Sequence, residues 1–342
     1  MKRRADALFV GIALLMLLLP AWGLLRAKAP FAYDARDAYI AENIGFRPEL
    51  ITLHARVSRR LFSQTGNEQV LLGKDGWLYF ADTMPDFYRR NALEDAQIDQ
   101  IASSIAALSQ VLARQGIGFT FLCAPNKNTV YPEHMPCYAS PAEGAGNLER
   151  LQAALVERGV DVLDAAALLR ARKPEGQLYF KTDTHWNARG ALVVYRALME
   201  RLAQGEPGIA HESFEAYDAY EVPLEDIVTV QGDLAALYLP LSKATETDAR
   251  PAMERRYAVD GVMRSLSDMM IRTRSDANGL RVLVLRDSFG EALFPYMANN
   301  LGRLLFSRVL SVDEAAIQGL IQGEEIRHVV LQIAERNLPT LL

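Results

Sequence analysis

The sequence predicts an α/β fold: a mostly parallel sheet with helices on both faces. One observation behind this is the regular alternation of short apolar runs with amphipathic ones from about residue 94 onward. Another is the run Val282-Leu283-Val284-Leu285, a fully apolar strand that leads straight into Arg286-Asp287-Ser288-Phe289-Gly290. Strands buried on both faces read as continuous apolar runs, as this one does. A third is size: 342 residues can bury the core that such a sheet needs.

Taken in order, the chain begins with Met1-Lys2-Arg3-Arg4 and an uncharged stretch from Ala7 to Leu25, followed by Arg26 and Lys28. As a helix it would be about 28 Å long at ~1.5 Å per residue, close to the ~30 Å hydrocarbon core of a bilayer. The basic flank puts the N-terminus in the cytoplasm. A signal peptide is the rival reading, since Ala27-Lys28-Ala29 has the small-x-small form, but Pro30 would then follow the cut. The expectation is an uncleaved single-pass anchor over residues 1–29 in the inner membrane, a membrane-proximal arm over 30–69, and a catalytic domain over 70–342 in the periplasm.

Within that domain, Val70-Leu71-Leu72 and Trp77-Leu78-Tyr79-Phe80 flank the turn Gly73-Lys74-Asp75-Gly76 and read as a hairpin. Glu94 to Arg114 is a helix, with Ile98, Ile101, Ile105, Leu108 and Val111 on one face, and Phe119 to Cys123 follows as a buried strand. Leu148–Val156 is helical, Val160–Leu163 a strand, and Asn187–Leu202 a helix capped by Asn187. Leu280–Leu285, Arg303–Leu310 and Arg327–Ile333 are strands, with a helix over Asp313–Gln322. Residues 205–279 show weak periodicity and read as a loop-rich insertion.

Composition narrows the function. The net charge of −5 and pI of about 5.7 give no footprint for nucleic acid. No phosphate-binding glycine loop is present, so no cofactor is implied. The two cysteines, Cys123 and Cys137, are spaced to close a short disulfide loop in an oxidising compartment, with two buried free thiols as the alternative.

Two segments carry chemistry. Ser288 follows an apolar strand at the start of a helix-like run, where free N–H groups favour developing negative charge. Asp183-Thr184-His185-Trp186 places a carboxylate and an imidazole two residues apart. A serine needs a base, and the base needs an orienting acid, so Ser288, His185 and Asp183 form the inventory of an acyl-transfer triad. Asp183 and His185 could also be two metal ligands, but no thiolate cluster or other fitting histidine supports a metal site.

The chain resembles the alginate O-acetyltransferase family, AlgJ/AlgX-like proteins with an SGNH-hydrolase-like domain. The likeness lies in Gly73-Lys74-Asp75-Gly76-Trp77-Leu78, Pro125 to Pro132 (PNKNTVYP), Tyr179 to Asn187 (YFKTDTHWN) and Leu285 to Gly290 (LRDSFG), with Gly232-Asp233-Leu234-Ala235 and Glu335-Arg336-Asn337-Leu338. The resemblance implies an SGNH-like fold in circularly permuted motif order, with Ser288 as nucleophile, His185 as base and Asp183 as its orienter. Gly232 and Asn337 become candidates for the oxyanion hole, and Lys127, Arg336 and Trp186 for sugar contacts. It further implies O-acetylation of an exported polysaccharide, with acetyl received from a multi-spanning membrane acyltransferase. The alternatives are a carbohydrate acetylesterase using the same residues and a non-catalytic scaffold of a secretion complex.

Overall fold

The computed structural model describes residues 9–11, 14, 18, 21–26, 36–62, 64–205, 224–242, 246–251 and 254–342. They fall into two compact units, Met1–Leu71 with Ala235–Ala244 and Leu72–Leu234 with Thr245–Leu342.

In the first unit, residues expected to form an arm without strong period contain two helices, Arg36–Asn43 and Arg47–Phe62. The longer one escaped a hydrophobicity reading because its buried positions are the small residues Thr52, Ala55 and Ser58, while Leu50, Leu53, Val57 and Leu61 are exposed.

The strands are β1 (Val70–Leu72), β2 (Leu78–Phe80), β3 (Gly118–Ala124), β4 (Asp161–Leu163), β5 (Leu224–Val230), β6 (Glu246–Pro251), β7 (Tyr257–Val259), β8 (Met270–Ser275), β9 (Arg281–Leu285), β10 (Arg303–Ser307) and β11 (His328–Ala334). The hairpin turn before β2 closes with the Gly73 N–H on the Trp77 carbonyl, 2.8 Å away. Asp75 and Gly76 both sit there at positive φ.

The main sheet has seven strands in the order β4-β3-β11-β9-β10-β8-β7. β4, β3, β11, β9 and β10 are mutually parallel, whereas β8 and β7 run antiparallel at one edge. This corrects the expected sheet: its topology is mixed. The two antiparallel strands come from 205–279, which had read as loops. Ile271 and Thr273 of β8 are buried and alternate with the more exposed Arg272 and Arg274. That period of two marks a strand with one wet face, which lacks the continuous apolar run of the central strands.

Side chains alternate across the sheet. Phe119, Phe121 and Cys123 of β3, Leu283 and Leu285 of β9 and Val329, Leu331 and Ile333 of β11 face one core. Helices Asp95–Arg114, Asn147–Glu157 and Glu314–Ile321 cover it through Ile101, Ile105, Leu151 and Ile317. On the opposite face Phe306 packs against Phe294 of helix Phe294–Asn300, ring centres 5.2 Å apart. The local signals hold well here. Gln97 returns its side chain to the Glu94 N–H, and Asn187 caps helix Ala188–Gly205 by accepting the Gly190 N–H.

Two further expectations are corrected. Among the described residues no helix is long and apolar enough to cross a membrane, so the single-pass anchor over 1–29, and the inner-membrane and periplasmic placement built on it, are withdrawn. Residues 1–8 and 27–35, including Ala27-Lys28-Ala29, lie outside the described residues. The Cys123–Cys137 disulfide is not formed. Both thiols are free, because the alternation of β3 turns Cys123 into the core beside Phe121 while Cys137 is exposed.

Candidate active site

Three adjacent parallel strands, β3, β11 and β9, end side by side, and the loops that leave their carboxyl ends meet. This is where open α/β sheets place their ligands. The turn after β3 carries Asn126, whose backbone N–H donates to the Glu335 carboxylate after β11 at 2.7 Å; the Thr129 hydroxyl donates to the same oxygen. The turn after β9 is tied to β11 through Asp287. Its carboxylate accepts the N–H groups of Phe289 (3.0 Å) and Ala334 (2.6 Å) and the side-chain amides of Gln332 (2.9 Å) and Asn337 (3.3 Å). Asp287 thereby fixes the first turn of the 3₁₀ helix Ser288–Leu293 and, with it, Ser288.

The second segment is a loop between Leu178 and Asn187. It closes on itself through a bridge between Tyr179 and Trp186 and through the Asn187 N–H on the Leu178 carbonyl. Three remote side chains shape its tip. Buried Lys127 donates to the carbonyls of Phe180 (3.1 Å), Lys181 (3.0 Å) and Asp183 (2.6 Å). Glu246 accepts the N–H groups of Lys181 and Thr182. Asp233 accepts the Thr184 N–H at 2.8 Å and its hydroxyl at 2.6 Å. Burial pushes the Lys127 ammonium down to about 7, against the pull of the Asp183, Asp233 and Glu246 charges.

These two constructions bring the expected triad together. Ser288 Oγ lies 2.8 Å from His185 Nε2, and His185 Nδ1 lies 2.7 Å from Asp183 Oδ1. Asp183 also accepts the His185 N–H at 2.9 Å and, on its other oxygen, the Asp233 N–H at 2.9 Å. Burial works to raise the Asp183 pKa, but the imidazole and these N–H donors outweigh it and hold the carboxyl below its usual range. Burial works to lower the His185 pKa, and here too the partner wins. The Asp183 hydrogen bond and charge, helped by Asp233, raise it, while Arg336 opposes them. An ionised acid behind a histidine of raised basicity is what a general base requires.

A cavity of about 460 Å³ opens on Ser288 and His185. Phe180, Trp186, Phe289, Pro295 and Tyr296 give it an apolar wall, and Asp248 and Glu291 add carboxylates. Trp186 is buried, its indole N–H donates to the Phe289 carbonyl at 3.0 Å, and its ring meets Phe289 edge-on.

The other expected site residues are placed differently. Lys127 has its three donors committed to backbone carbonyls, so the expected sugar contact is corrected to a structural clamp. Gly232 is pressed against the Asp183 loop: a Cβ there would lie 2.1 Å from the Thr182 carbonyl oxygen. Only glycine allows the chain to pass and deliver the Asp233 N–H to Asp183. Asn337 serves Asp287, and neither Gly232 nor Asn337 lines the cavity. The Arg336 guanidinium lies over the rings of Phe80 (5.7 Å) and Phe289 (5.3 Å).

Sequence reasoning missed Asp233 and Arg286. Asp233 stands in a quoted motif, but nothing local ties it to position 184, 49 residues away. Arg286 is fully buried and holds the Leu266 carbonyl, the Asp268 carbonyl and Glu291 (3.1 Å), over the face of Phe306. Its only sequence signal was an arginine at the end of an apolar strand. Asp183, His185 and Asp233 each offer a ligand atom, all within 4.8 Å of one another, and could hold a metal ion. Such an ion would take the Nδ1 that now faces Asp183.

Ser288 leaves the end of β9, and a separate loop before helix Ala188–Gly205 brings His185 and Asp183 to it. A family model described as the SGNH hydrolase-like domain of the acetyltransferase AlgX matches residues 70–285. The chain belongs to this acetyltransferase family. It is 30% identical over 213 residues to the probable alginate O-acetylase AlgJ of Pseudomonas syringae pv. tomato, covering 59% of this chain and 52% of that protein. Its counterpart from Pseudomonas aeruginosa is 31% identical over 181 residues, 51% and 42% of the two chains. The chain therefore spans about half the length of these curated relatives. Among solved structures, Bacillus cereus PatB1 superposes with a TM-score of 0.56 at 18% identity, over 79% of this chain and 96% of that one. The O-acetyltransferase domain of Pseudomonas putida AlgJ does so with 0.52 at 19%, over 79% and 92%. At such identities the likeness is one of fold.

Proposed function

We propose that this chain is an O-acetyltransferase that moves acetyl groups onto hydroxyls of a polysaccharide through an acetyl-Ser288 intermediate. The observation that carries the reading is the relay from Ser288 Oγ through His185 to Asp183, opening on a cavity with room for a donor and a sugar. Family membership supports it, and so do the names of the relatives as O-acetylases.

In this reading His185 Nε2 takes the Ser288 proton as Oγ attacks the acetyl carbonyl, and Asp183 stabilises the imidazolium. The imidazolium returns that proton to the leaving group, and an acetyl ester remains on Ser288. A sugar hydroxyl then attacks the ester. His185 takes the hydroxyl proton and hands it back to Ser288 as the acetylated sugar departs. The acetyl donor we propose is a membrane-bound acyltransferase that meets this domain as a partner. Arg336 and Trp186 remain the side chains proposed to contact the sugar, Arg336 from beside Phe289 and Trp186 from the cavity wall. Water in place of the sugar would make the same residues an acetylesterase.

The test is acetyl loading from an activated acetyl ester, read by mass on the peptide that contains Ser288. Wild type should load and Ser288→Ala should not; an alanine variant that loads equally would remove Ser288 from the role. Adding polymer to loaded enzyme and comparing acetylated product with free acetate separates transfer from hydrolysis.

A further inference from the structure

We infer that helix Arg47–Phe62 docks along an anionic lipid surface, with its open apolar side in the lipid and its arginines at the phosphates. The inference does not depend on acetyl transfer, and nothing in it crosses a bilayer. The helix lies in the plane of the surface. At 16 residues, four of them arginine, it is too short and too charged to span one.

Only one side of this helix is covered. Thr52, Ala55 and Ser58 are buried at three-residue spacing, and the Thr52 hydroxyl accepts the Leu241 N–H at 3.4 Å. A step of two residues is roughly 200° of turn, so Leu53 and Val57 point away from Ala55, and Leu50 and Leu61 fall on the same outer side. Leu50, Leu53, Val57 and Leu61 are 41%, 60%, 44% and 67% exposed. Single apolar residues on a surface need no explanation, but an unbroken row about 17 Å long, at ~1.5 Å per residue, marks an interaction face.

The charge around the row selects its occupant. Arg47, Arg56, Arg59 and Arg60 are exposed and stand against a single acid, Glu49, so this helix carries +3 on a chain whose net charge is −5. None of the four arginines has an ion pair among the described residues. By the same helical geometry Arg47 borders the row on one side and Arg56 and Arg60 border it on the other. Basic side chains so placed keep their heads at lipid phosphates while the leucines enter the acyl boundary. A second copy fits worse. Antiparallel pairing would set Arg47 beside Arg60, and parallel pairing would set each arginine beside its own counterpart.

The experiment reads the helix itself, because other apolar residues of the chain could also bring it to vesicles. Full-length protein carries Val57→Cys in a Cys137→Ser background, which leaves one reachable thiol, since Cys123 is buried. A polarity-sensitive fluorophore on position 57 is titrated with vesicles of phosphatidylcholine alone and of equimolar phosphatidylcholine and phosphatidylglycerol. Its emission should shift to the blue on the mixed vesicles at about tenfold or more lower lipid than on phosphatidylcholine, and added salt should narrow the gap. Arg47→Glu, Arg56→Glu and Arg60→Glu together change exposed positions, leave the packed face intact and should abolish the preference. The inference is overturned if the probe responds equally to both kinds of vesicle, or if charge reversal leaves the preference in place. A probe that stays in water on both also overturns it and leaves the row to a protein partner. So does a blue shift without lipid that tracks a doubling of mass in sedimentation, which gives the face to a second copy.

Discussion

Ser288 stands just beyond the end of β9, and Asp287 ties its turn to the neighbouring strand β11. His185 and Asp183 stand in a loop that belongs to no strand of the main sheet. That loop is held by side chains 49 to 65 residues away in sequence: Lys127, Asp233 and Glu246. Ser288, the proposed nucleophile, thus shares the rigidity of the sheet, while His185 and Asp183 depend on one buried and two half-buried charged side chains. Polar clamps of this kind are unforgiving, because removing one partner leaves the others buried without a bond.

Apart from removing Ser288 itself, the largest break should come from Asp183. Asp183→Asn should lower the rate of acetyl-enzyme formation by about 10⁴-fold, the loss seen for the equivalent change in serine proteases. The same variant tests the sign of the histidine shift. His185 must be neutral to accept the serine proton, and Asp183 raises its pKa above the ordinary imidazole value. The wild-type rate should therefore fall as pH drops through a value above ~6.5, and the residual rate of Asp183→Asn should fall only at lower pH. An unchanged rate in the variant would reduce Asp183 to a cap on the His185 N–H.

A smaller loss should follow from loosening the loop without touching the triad. Lys127→Met keeps the aliphatic stem but leaves the carbonyls of 180, 181 and 183 without their donor. Misplacing the imidazole by about 1 Å would lower the loading rate roughly 10²-fold. Melting of the same variant should show a loss of about 2–4 kcal/mol. Wild-type rate and melting would mean that the loop holds its shape without the clamp.

The least effect on rate should come from Glu335, which braces the sheet end without touching Ser288, His185 or Asp183. Glu335 is buried where the β3 and β11 turns meet, and burial pushes its pKa up to about 7. The folded protein thus keeps a proton that the unfolded chain gives up near pH 4.3. Stability from this group is fully present below that pH and is lost as pH rises to about 7, a decline of roughly 3 kcal/mol. Glu335→Gln should flatten the decline in urea titrations at a series of pH values while changing acetyl loading less than tenfold. A decline of the same size in the variant would assign it to another group.

The same contrast explains what could be read from the chain. The central strands, the helix cap at Asn187 and the triad Ser288, His185 and Asp183 rest on local pattern, on short spacing or on whole motifs. The antiparallel edge was hidden because β8 alternates arginines with buried residues. The role of Lys127 was hidden because a buried lysine and a surface lysine look alike in sequence. Asp233 and Glu246 gave no sign because their partners are set by the path of the chain in space, and no period or motif encodes that path.

The place of β11 has a consequence for how the protein is made. It follows every other strand of the sheet in the chain, yet it lies between β3 and β9. Until it emerges from the ribosome, the nascent sheet exists only as two pieces, β4-β3 and β9-β10-β8-β7, each with an open inner edge of unpaired backbone. Such edges recruit other chains. A premature stop before Ile326 would thus do more than trim a terminus. It would leave a sheet divided at its centre, with Ser288 on one piece and the Asn126–Lys127 turn on the other, and its product should be found in aggregates.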